Sequence, residues 1–172
     1  MLIAFYTFAI GHGPRGSDAI AGFMALLPAV LRHVDGAPGF IARAKRPDFT
    51  KAAFGQNFGA WGDYQVPRFY DGGIDAHTET QVTTLSLWSD IEAVCDFAYT
   101  GLHRRALEQG RKWLREPDYP SYVMWWVVDG EVPTWRDASM RLEYLHDRGP
   151  SPFAFDFKNA FESDGTPRTM SA

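Results

Sequence analysis

The histidines are the first side chains of this sequence that could do chemistry near neutral pH. The chain has five of them, His12, His33, His77, His103 and His146, and their spacing matches no local metal-binding motif. His103 differs from the others because it lies at the edge of the apolar stripe of a predicted helix and is turned partly inward. An imidazole in such a place can act as a general acid or base. It can equally be a hydrogen-bonded structural residue, so the position alone leaves both interpretations open.

Other familiar catalytic motifs do not occur in the sequence. Residues 11–16 carry glycines but lack the lysine and hydroxyl of a Walker loop, and Pro14 removes a backbone donor there. Neither His-Glu-x-x-His nor Gly-x-Ser-x-Gly is present. Cys95, the one cysteine, lies on an apolar helical face without a basic neighbour, which favours a packed thiol over a nucleophile.

Length and charge restrict the partners. The chain has 172 residues and a formal net charge of −4, without a long run of one sign. Nucleic acid and anionic membrane surfaces both require a basic face, so we expect neither as a partner. No stretch of about 18 apolar residues could span a bilayer, and the apolar N-terminus lacks the basic start of a signal peptide. We therefore expect a cytoplasmic protein.

Aromatic residues are the unusual part of the composition. Phe, Tyr and Trp make up 15% of the chain, which is more ring surface than a core of this size needs. Many of these rings stand in an insert, 46–80, that shows neither a strand nor a helix period. Because rings are costly to leave in water, we expect the insert to fold back onto the body as a lid over an apolar pocket.

Hydrophobic periodicity divides the rest of the chain into strands and helices. We predict strands at 2–10, 40–44, 81–88 and 122–128. Helices are predicted to begin at Ser17 or Asp18, at Ser89 and at Thr134, with a further helical stretch over 102–115. Pro28 is expected to kink or divide the first helix. Ser89 and Glu92 have the spacing of a capping box.

The order of these elements is that of a ferredoxin-like split βαβ fold. We predict one α+β domain over residues 1–162, with a four-stranded antiparallel sheet and helices on one face, followed by a flexible C-terminal tail at 163–172. Several strands are apolar on both faces, so the second face of the sheet needs a cover. The simplest cover is the same face of a second copy, which predicts a homodimer.

The second half of the sequence resembles a known superfamily. The segments Trp88-Ser-Asp-Ile-Glu-Ala, Phe97-Ala-Tyr99 and His103-Arg104-Arg105 resemble the strand-helix signature of the dimeric α+β barrels, which include the antibiotic-biosynthesis monooxygenases. The stretches at 111–114, 122–127, 133–134, 141–145 and 149–157 are similar to a bacterial family called domain of unknown function 3291. The resemblance covers residues 2–45 and 81–161 and leaves out the insert.

The resemblance implies a ferredoxin-like fold, two-fold dimerisation across the sheets and a pocket between sheet and helices. It implies no single reaction, because the superfamily includes cofactor-free oxygenases, isomerases, cyclases and haem-binding enzymes. Our first hypothesis is a small-molecule enzyme of bacterial secondary metabolism that needs no cofactor. It would act on an apolar aromatic or polycyclic substrate by monooxygenase-like oxygenation, or by acid/base isomerisation or cyclisation.

The candidate site residues have separate roles in that hypothesis. His103 is the general acid or base, and Tyr6 or Tyr99 orients a substrate oxygen. The substrate-binding candidates are Trp88, Phe97, Arg104, Trp113, Tyr122, Trp125 and Trp61. Trp125 and Trp126 must face opposite sides of the sheet, and we assign Trp125 to the pocket.

Two alternatives stay open. A haem protein would use His103 as the axial ligand, since haem-binding relatives take that ligand from the helix after the third strand, and an aromatic pocket suits haem. A non-catalytic small-ligand-binding protein would need only the pocket. No metal site other than haem is expected.

Overall fold

A computed structural model describes residues 1–70 and 80–168 of the chain. Its elements are β1 (Leu2–Ile10), α1 (Asp18–Asp35), β2 (Phe40–Arg43), β3 (Gln81–Trp88), α2 (Ile91–Tyr99), α3 (Gly101–Gly110), β4 (Tyr122–Val127), α4 (Trp135–Arg148), β5 (Ala160–Phe161) and β6 (Pro167–Arg168). The four strands predicted from periodicity are confirmed, and the protein is α+β. In the described part of the chain, no helix combines the length and the apolar character needed to cross a membrane.

The four long strands form one antiparallel sheet in the order β2-β3-β1-β4. The central strand β1 pairs along its length with β3 and along its first half with β4. In contrast, β2 pairs only with Ser86, Leu87 and Trp88 of β3. Residues 81–84 of β3 therefore have no neighbouring strand on the β2 side within the described residues, and a cavity forms there.

Alternation along β1 divides the aromatic residues between two cores. The odd-numbered residues of β1 face α1 and α2, in a core with Trp88, Val94 and Phe155. The even-numbered residues face α4, in a core with Trp125 and Trp135. The chain itself therefore covers both faces of the sheet.

The expectation of helices on one face only is wrong. Phe58 and Tyr64 of the insert, together with Trp135 and Leu142 of α4, are buried against the second face. The sequence argument did not foresee this cover, because it treated the last helix as an addition outside the split βαβ pattern. The bare face that motivated a homodimer is thus filled, and homodimerisation stays a prediction without that reason.

The structure corrects the predicted N-cap of α2. The N-cap of α2 is Asp90, whose carboxylate accepts the Ala93 N–H at 2.8 Å. Ser89 instead donates its hydroxyl to Asp90 at 2.7 Å. The predicted Ser89 cap is therefore wrong by one residue, since the carboxylate takes the free N–H of the first turn. The first helix runs as one element through Pro28.

The described part of the insert, 46–70, folds back onto the body as predicted. Apart from a 3-10 turn at Gly59–Trp61 and an isolated bridge between Asn57 and Asp63, it is irregular. Its shape is held by its own side chains, such as Asn57, which donates to the Asp63 carboxylate at 2.7 Å. Residues 71–79, with His77, lie outside the described residues.

The C-terminal segment returns to the body as a short hairpin of β5 and β6. Arg168 of β6 forms ion pairs with Glu92 at the start of α2 and with Glu162. Residues 169–172 lie outside the described residues. The flexibility predicted for 163–172 stays a prediction.

Candidate functional site

Two neighbouring cavities lie against α1. The His103 cavity, of about 420 Å³, lies between α1, α3 and the sheet, and its lining includes Phe5, Thr7, Tyr99, His103 and Tyr122. The Arg46 cavity, of about 530 Å³, lies between α1, β3 and the insert, and its lining includes Arg15, Arg46, Phe49, Tyr64 and Trp135. Both cavities touch Phe23, Leu27 and Leu31 of α1. The shared helix makes them neighbours.

The apolar stripe of α1 explains why there is space beneath it. Ile20 and Val34, near the two ends of the stripe, are buried in the core. Phe23, Leu27 and Leu31, between them, are only half-buried and line both cavities. The helix is thus anchored at its ends, and its middle forms an apolar wall over open space. Such a wall suits an apolar ligand.

His103 owes its position to the break between α2 and α3. Gly101 opens α3 with a φ of +54°, a left-handed conformation that favours glycine. The next turn places His103 Nδ1 2.9 Å from the carbonyl oxygen of Ala98. Because a carbonyl can only accept, Nδ1 carries the proton and Nε2 keeps its lone pair. The ring is therefore held as the tautomer that can accept a proton at Nε2.

The surroundings of His103 favour its neutral form. Burial lowers the pKa of His103, and the nearby His33 lowers it further, while the bond to Ala98 partly offsets both. The Phe97 ring lies 4.7 Å from the His103 ring and 5.8 Å from the His33 ring, between centroids. A neutral imidazole in an apolar setting is the form that a general base requires.

Two tyrosines add hydroxyl groups to the same cavity. Burial raises the pKa of Tyr122, and hydrogen bonding with the Tyr99 side chain raises it further. The Tyr122 hydroxyl accepts the backbone N–H of Phe157 at 3.3 Å, which orients it. Tyr99 is 47% exposed, at the edge of the cavity. Protonated phenols at this position can donate to a substrate oxygen.

Three of the ten predicted site residues line the His103 cavity, namely His103, Tyr99 and Tyr122. Tyr6 and Trp125 lie on the opposite face, because the alternation along β1 and β4 turns them towards α4. Trp61 of the insert packs against that same core. The prediction that Trp125 faces the pocket is therefore wrong. Trp126 lies on the side of α1 and α2, and Trp125 lies beside Arg141 on the other side of the sheet.

The remaining predicted residues support the site without lining it. Trp88 and Phe97 are buried in the core on the His103 side, with their rings 5.1 Å apart. Trp113 packs against Phe23 of α1, at 6.3 Å between ring centroids. Arg104 points to solvent and forms an ion pair with Glu108. Phe97 and Arg104 lie on helices as predicted, but Trp113 lies beyond the end of α3, and none of the four residues reaches the cavity.

Sequence reasoning missed several lining residues. The Thr7 and Thr84 hydroxyls lie 2.7 Å apart in the floor of the His103 cavity. The β1 alternation that includes Phe5 could have found Thr7. The basic residues of the Arg46 cavity had one signal, the run of cations at 43–46.

Two further groups were considered for chemistry. Cys95 is half-buried, and burial raises the pKa of its thiol, which agrees with a packed side chain. Within the residues that the structure describes, no group of three or more His, Cys, Asp or Glu side chains could hold a metal ion. His103 is thus the titratable residue around which the site must be understood.

Comparison with known proteins identifies a family and nothing finer. No curated protein and no solved structure matches the chain significantly. The family described as "Domain of unknown function (DUF3291)" matches residues 2–171, which includes the insert as well as the regular elements. Because this match extends over nearly the whole sequence, the chain belongs to the DUF3291 family.

Proposed function

We propose that the protein is a small-molecule enzyme that uses His103 to move a proton on an apolar, ring-bearing substrate. The observation that carries the proposal is the imidazole fixed by Ala98 in an apolar cavity of about 420 Å³. Small-molecule sites have volumes of roughly 300–1,000 Å³ and combine apolar walls with a few polar groups. The lining of the His103 cavity has this character.

The proposed chemistry starts with removal of a proton from carbon. His103 Nε2 accepts the proton, and the electron pair of the C–H bond moves into a conjugated carbonyl of the substrate. Tyr122 or Tyr99 donates a hydrogen bond to the carbonyl oxygen as it gains charge. Return of the proton to another carbon completes an isomerisation. In a cyclisation, the carbanion forms a bond to a second carbonyl carbon of the same substrate, the C=O π bond breaks, and the resulting alkoxide takes the proton from His103. Oxygenation would need dioxygen as co-reactant at the same carbanion.

The arrangement of the sheet supports a wider relationship. The strand order β2-β3-β1-β4, with a helix after β1 and another after β3, is what a ferredoxin-like split βαβ unit requires. We propose that the fold is ferredoxin-like and related to that of the dimeric α+β barrels, with α4 and the insert filling the sheet face across which such barrels dimerise. We also propose that the substrate is an aromatic or polycyclic metabolite of bacterial secondary metabolism. The cavity between the sheet and the helices supports this proposal.

Hydrogen–deuterium exchange tests the proposed chemistry directly. The protein is incubated in D₂O with a panel of ring-bearing ketones and 1,3-diketones, and deuterium uptake is followed by mass spectrometry. We expect uptake into at least one compound, slowed by roughly 10²–10⁴-fold in His103→Gln, because that is the usual contribution of a general base. His12→Gln is the control, since His12 is exposed and lines neither cavity.

The exchange measurement distinguishes an enzyme that uses His103 from a non-catalytic ligand-binding protein. Equal exchange rates in the wild type and His103→Gln would contradict the proposed role of His103. Binding of a panel compound in the His103 cavity without any exchange would indicate the non-catalytic ligand-binding protein instead.

Haem binding is the second candidate, and one observation favours it. His103 Nδ1 donates to the Ala98 carbonyl, so Nε2 is the nitrogen that could bind iron. Histidines that bind a metal are commonly oriented by such a hydrogen bond from their other ring nitrogen. Arg115, which also lines the cavity, would face a haem propionate. Bound haem would supply redox chemistry with oxygen. Titration with haemin should then give a Soret band that His103→Ala loses, and an unchanged spectrum in both proteins contradicts haem binding.

A further inference from the structure

We propose that the Arg46 cavity is a second binding site, which takes a carboxylate with an apolar, ring-bearing body. The proposal rests on the insert and on the edge of β3, and it does not depend on the chemistry proposed for His103. Four kinds of observation support it: the origin of the space, its charge, its unpartnered polar atoms and its apolar walls.

The space exists because β2 is short. Ala44 makes one further backbone bond beyond β2, to Leu85 at 2.9 Å, and the chain then leaves the sheet as the insert. The described part of the insert, 46–70, passes over residues 81–84 of β3 without pairing with them as a strand. Their edge forms the floor of the Arg46 cavity, and the insert forms its roof. The cavity is thus a consequence of the topology and not of one displaced side chain.

The lining of this cavity is positively charged. Among the residues that the structure describes, it includes four cationic residues, Arg15, Arg43, Arg46 and Lys51, and no Asp or Glu. Arg43 is neutralised by Asp35 at 2.8 Å, and Lys51 lies 3.5 Å from an acidic neighbour, Asp48. In the described residues, Arg15 and Arg46 form no ion pair. An anion would supply the missing partner.

Neutral carbonyl groups hold these two arginines in place. Arg15 donates to the Phe49 carbonyl at 3.3 Å, and Arg46 donates to the Lys51 carbonyl at 2.7 Å. Burial lowers the pKa of the Arg46 guanidinium, and the positive charge of Arg15 lowers it further. The half-buried Arg46 and the exposed Arg15 thus line the same cavity, and Asp48 offsets only part of the effect of Arg15 and of burial on Arg46. A bound carboxylate would counter the effect of Arg15 on Arg46 and can accept two N–H bonds from one guanidinium.

Three residues of the lining also carry buried polar atoms without a hydrogen-bond partner in the described part of the chain. Of the eight buried side-chain polar atoms without a hydrogen bond in the described residues, three belong to lining residues, namely Arg46 Nε, Trp135 Nε1 and Thr80 Oγ1. Buried polar atoms nearly always have a partner, so such a group needs an explanation. Arg46 Nε and Trp135 Nε1 are donors only. An acceptor that came within hydrogen-bond distance of these donors would satisfy them.

The remaining walls specify the body of the ligand. Phe23, Met24 and Leu27 of α1 face Phe49 and Phe58 of the insert across the space. A small inorganic anion would leave these walls in contact with water, whereas a ring system would cover them. The Arg46 cavity, at about 530 Å³, has room for such a body. The combination selects an aryl carboxylate over phosphate or sulfate.

The test compares two probes that differ only in charge. 2-Naphthoate and 2-naphthalenemethanol share one ring system, and their affinities are measured by calorimetric titration of the full-length protein. We expect the wild type to bind naphthoate at least about tenfold more tightly than the alcohol, as a charge-assisted hydrogen bond provides. Higher salt should weaken the binding of naphthoate more than that of the alcohol.

Matched variants locate the site. Arg46→Met should weaken naphthoate binding by about tenfold while leaving the alcohol unchanged. Arg136→Met is the control, because Arg136 is exposed on α4 and lines neither cavity. His103→Gln should leave naphthoate affinity unchanged, so that failure of this site is distinguishable from failure of the His103 chemistry. Equal affinities of the wild type for both probes, or full naphthoate affinity in a folded Arg46→Met protein, would overturn the proposal.

Discussion

The two cavities share a wall of α1 but are built in opposite ways. The His103 cavity lies among regular elements, α1, α3 and the sheet, and its chemistry rests on one imidazole held neutral. The Arg46 cavity lies beneath an irregular insert, and its chemistry rests on the guanidinium groups of Arg15 and Arg46. One arrangement favours proton transfer, and the other favours recognition of an anion.

The difference shows how burial acts on different groups. Burial lowers the pKa of His103 from an ordinary value near pH 6.5, so the group is neutral and ready to accept a proton. Burial also lowers the pKa of Arg46, but from so high a value that the charge remains. The same physical effect therefore creates a base in one cavity and an unpaired cation in the other.

Of the substitutions considered, removal of the Trp135 side chain should lower the free energy of unfolding most. It should do so by removing part of the wall of the Arg46 cavity. Trp135 is 2% exposed and lies 5.0 Å from Tyr64 and 5.3 Å from Phe58, between ring centroids. Trp135→Ala should lower the free energy of unfolding by about 3–5 kcal/mol, as is typical of a buried aromatic residue. Urea denaturation measures this change.

Met140→Ala is the matched control for Trp135→Ala. Met140 lies on the exposed side of the same helix, so its substitution should change the free energy of unfolding by less than about 0.5 kcal/mol. Equal losses in the two variants would contradict the role of Trp135 as the support of the insert.

A methyl group added to α1, the helix that borders both cavities, should destabilise the protein less than Trp135→Ala does. A Cβ added at Gly22 would lie 2.8 Å from Trp113 Nε1, which is too close. Gly22→Ala should therefore push α1 from Trp113 and lower the free energy of unfolding by about 1–3 kcal/mol. Thermal or urea unfolding measures the change, and ligand titrations show whether both cavities respond.

Gly110 of α3 provides the comparison, because a Cβ there would meet no atom within 4 Å. Gly110→Ala should stabilise the protein by up to about 1 kcal/mol, since alanine favours the helix. A stabilising Gly22→Ala would show that Trp113 moves freely and does not brace α1.

Much of the fold could be predicted from the sequence, because regular elements show their periodicity. The run of apolar residues at 122–128 identified β4, and Thr134 was correctly placed at the start of α4, where its side chain forms a capping box with Asp137. The α2 cap was missed because Ser89 and Asp90 are both good N-caps, and the local sequence does not rank them.

The cavities were harder to predict, because they depend on contacts between distant segments. Helical position pointed to His103, but its tautomer depends on the Ala98 carbonyl and on the turn at Gly101. The covering of the second sheet face could not be predicted, because it depends on the way α4 folds across that face. Arg46 lies in a segment without a period, so nothing local indicated that its side chain meets Trp135 across a cavity.

Removal of one hydroxyl group from the floor between the cavities should lower the free energy of unfolding by a smaller amount still. Thr7→Val removes the 2.7 Å hydroxyl contact with Thr84, which lines both cavities. We expect a loss of about 1 kcal/mol in the free energy of unfolding, measured by denaturation. The double variant Thr7→Val/Thr84→Val should recover part of it, because no hydroxyl is then left without its partner. A double variant as unstable as the sum of the single variants would contradict this interpretation.

The pH dependence of stability should show the smallest effect. The folded pKa of His103 is lowered, so the unfolded chain binds this proton more readily than the folded chain. The contribution of neutral His103 is therefore complete above about pH 6.5 and is lost as the pH falls through the lowered folded value. Unfolding free energies of the wild type should fall more steeply below about pH 6.5 than those of His103→Gln. Parallel curves for the two proteins would contradict the lowered pKa.

The chemistry proposed for the His103 cavity requires that His103 is a neutral base with its proton on Nδ1. Long-range ¹H–¹⁵N NMR of the imidazole groups tests this most directly, with His103→Gln used to assign the signals. At neutral pH we predict a protonated Nδ1 and an unprotonated Nε2, with a titration midpoint below about 6.5. A proton on Nε2 at neutral pH, or a midpoint above about 6.5, would contradict the account.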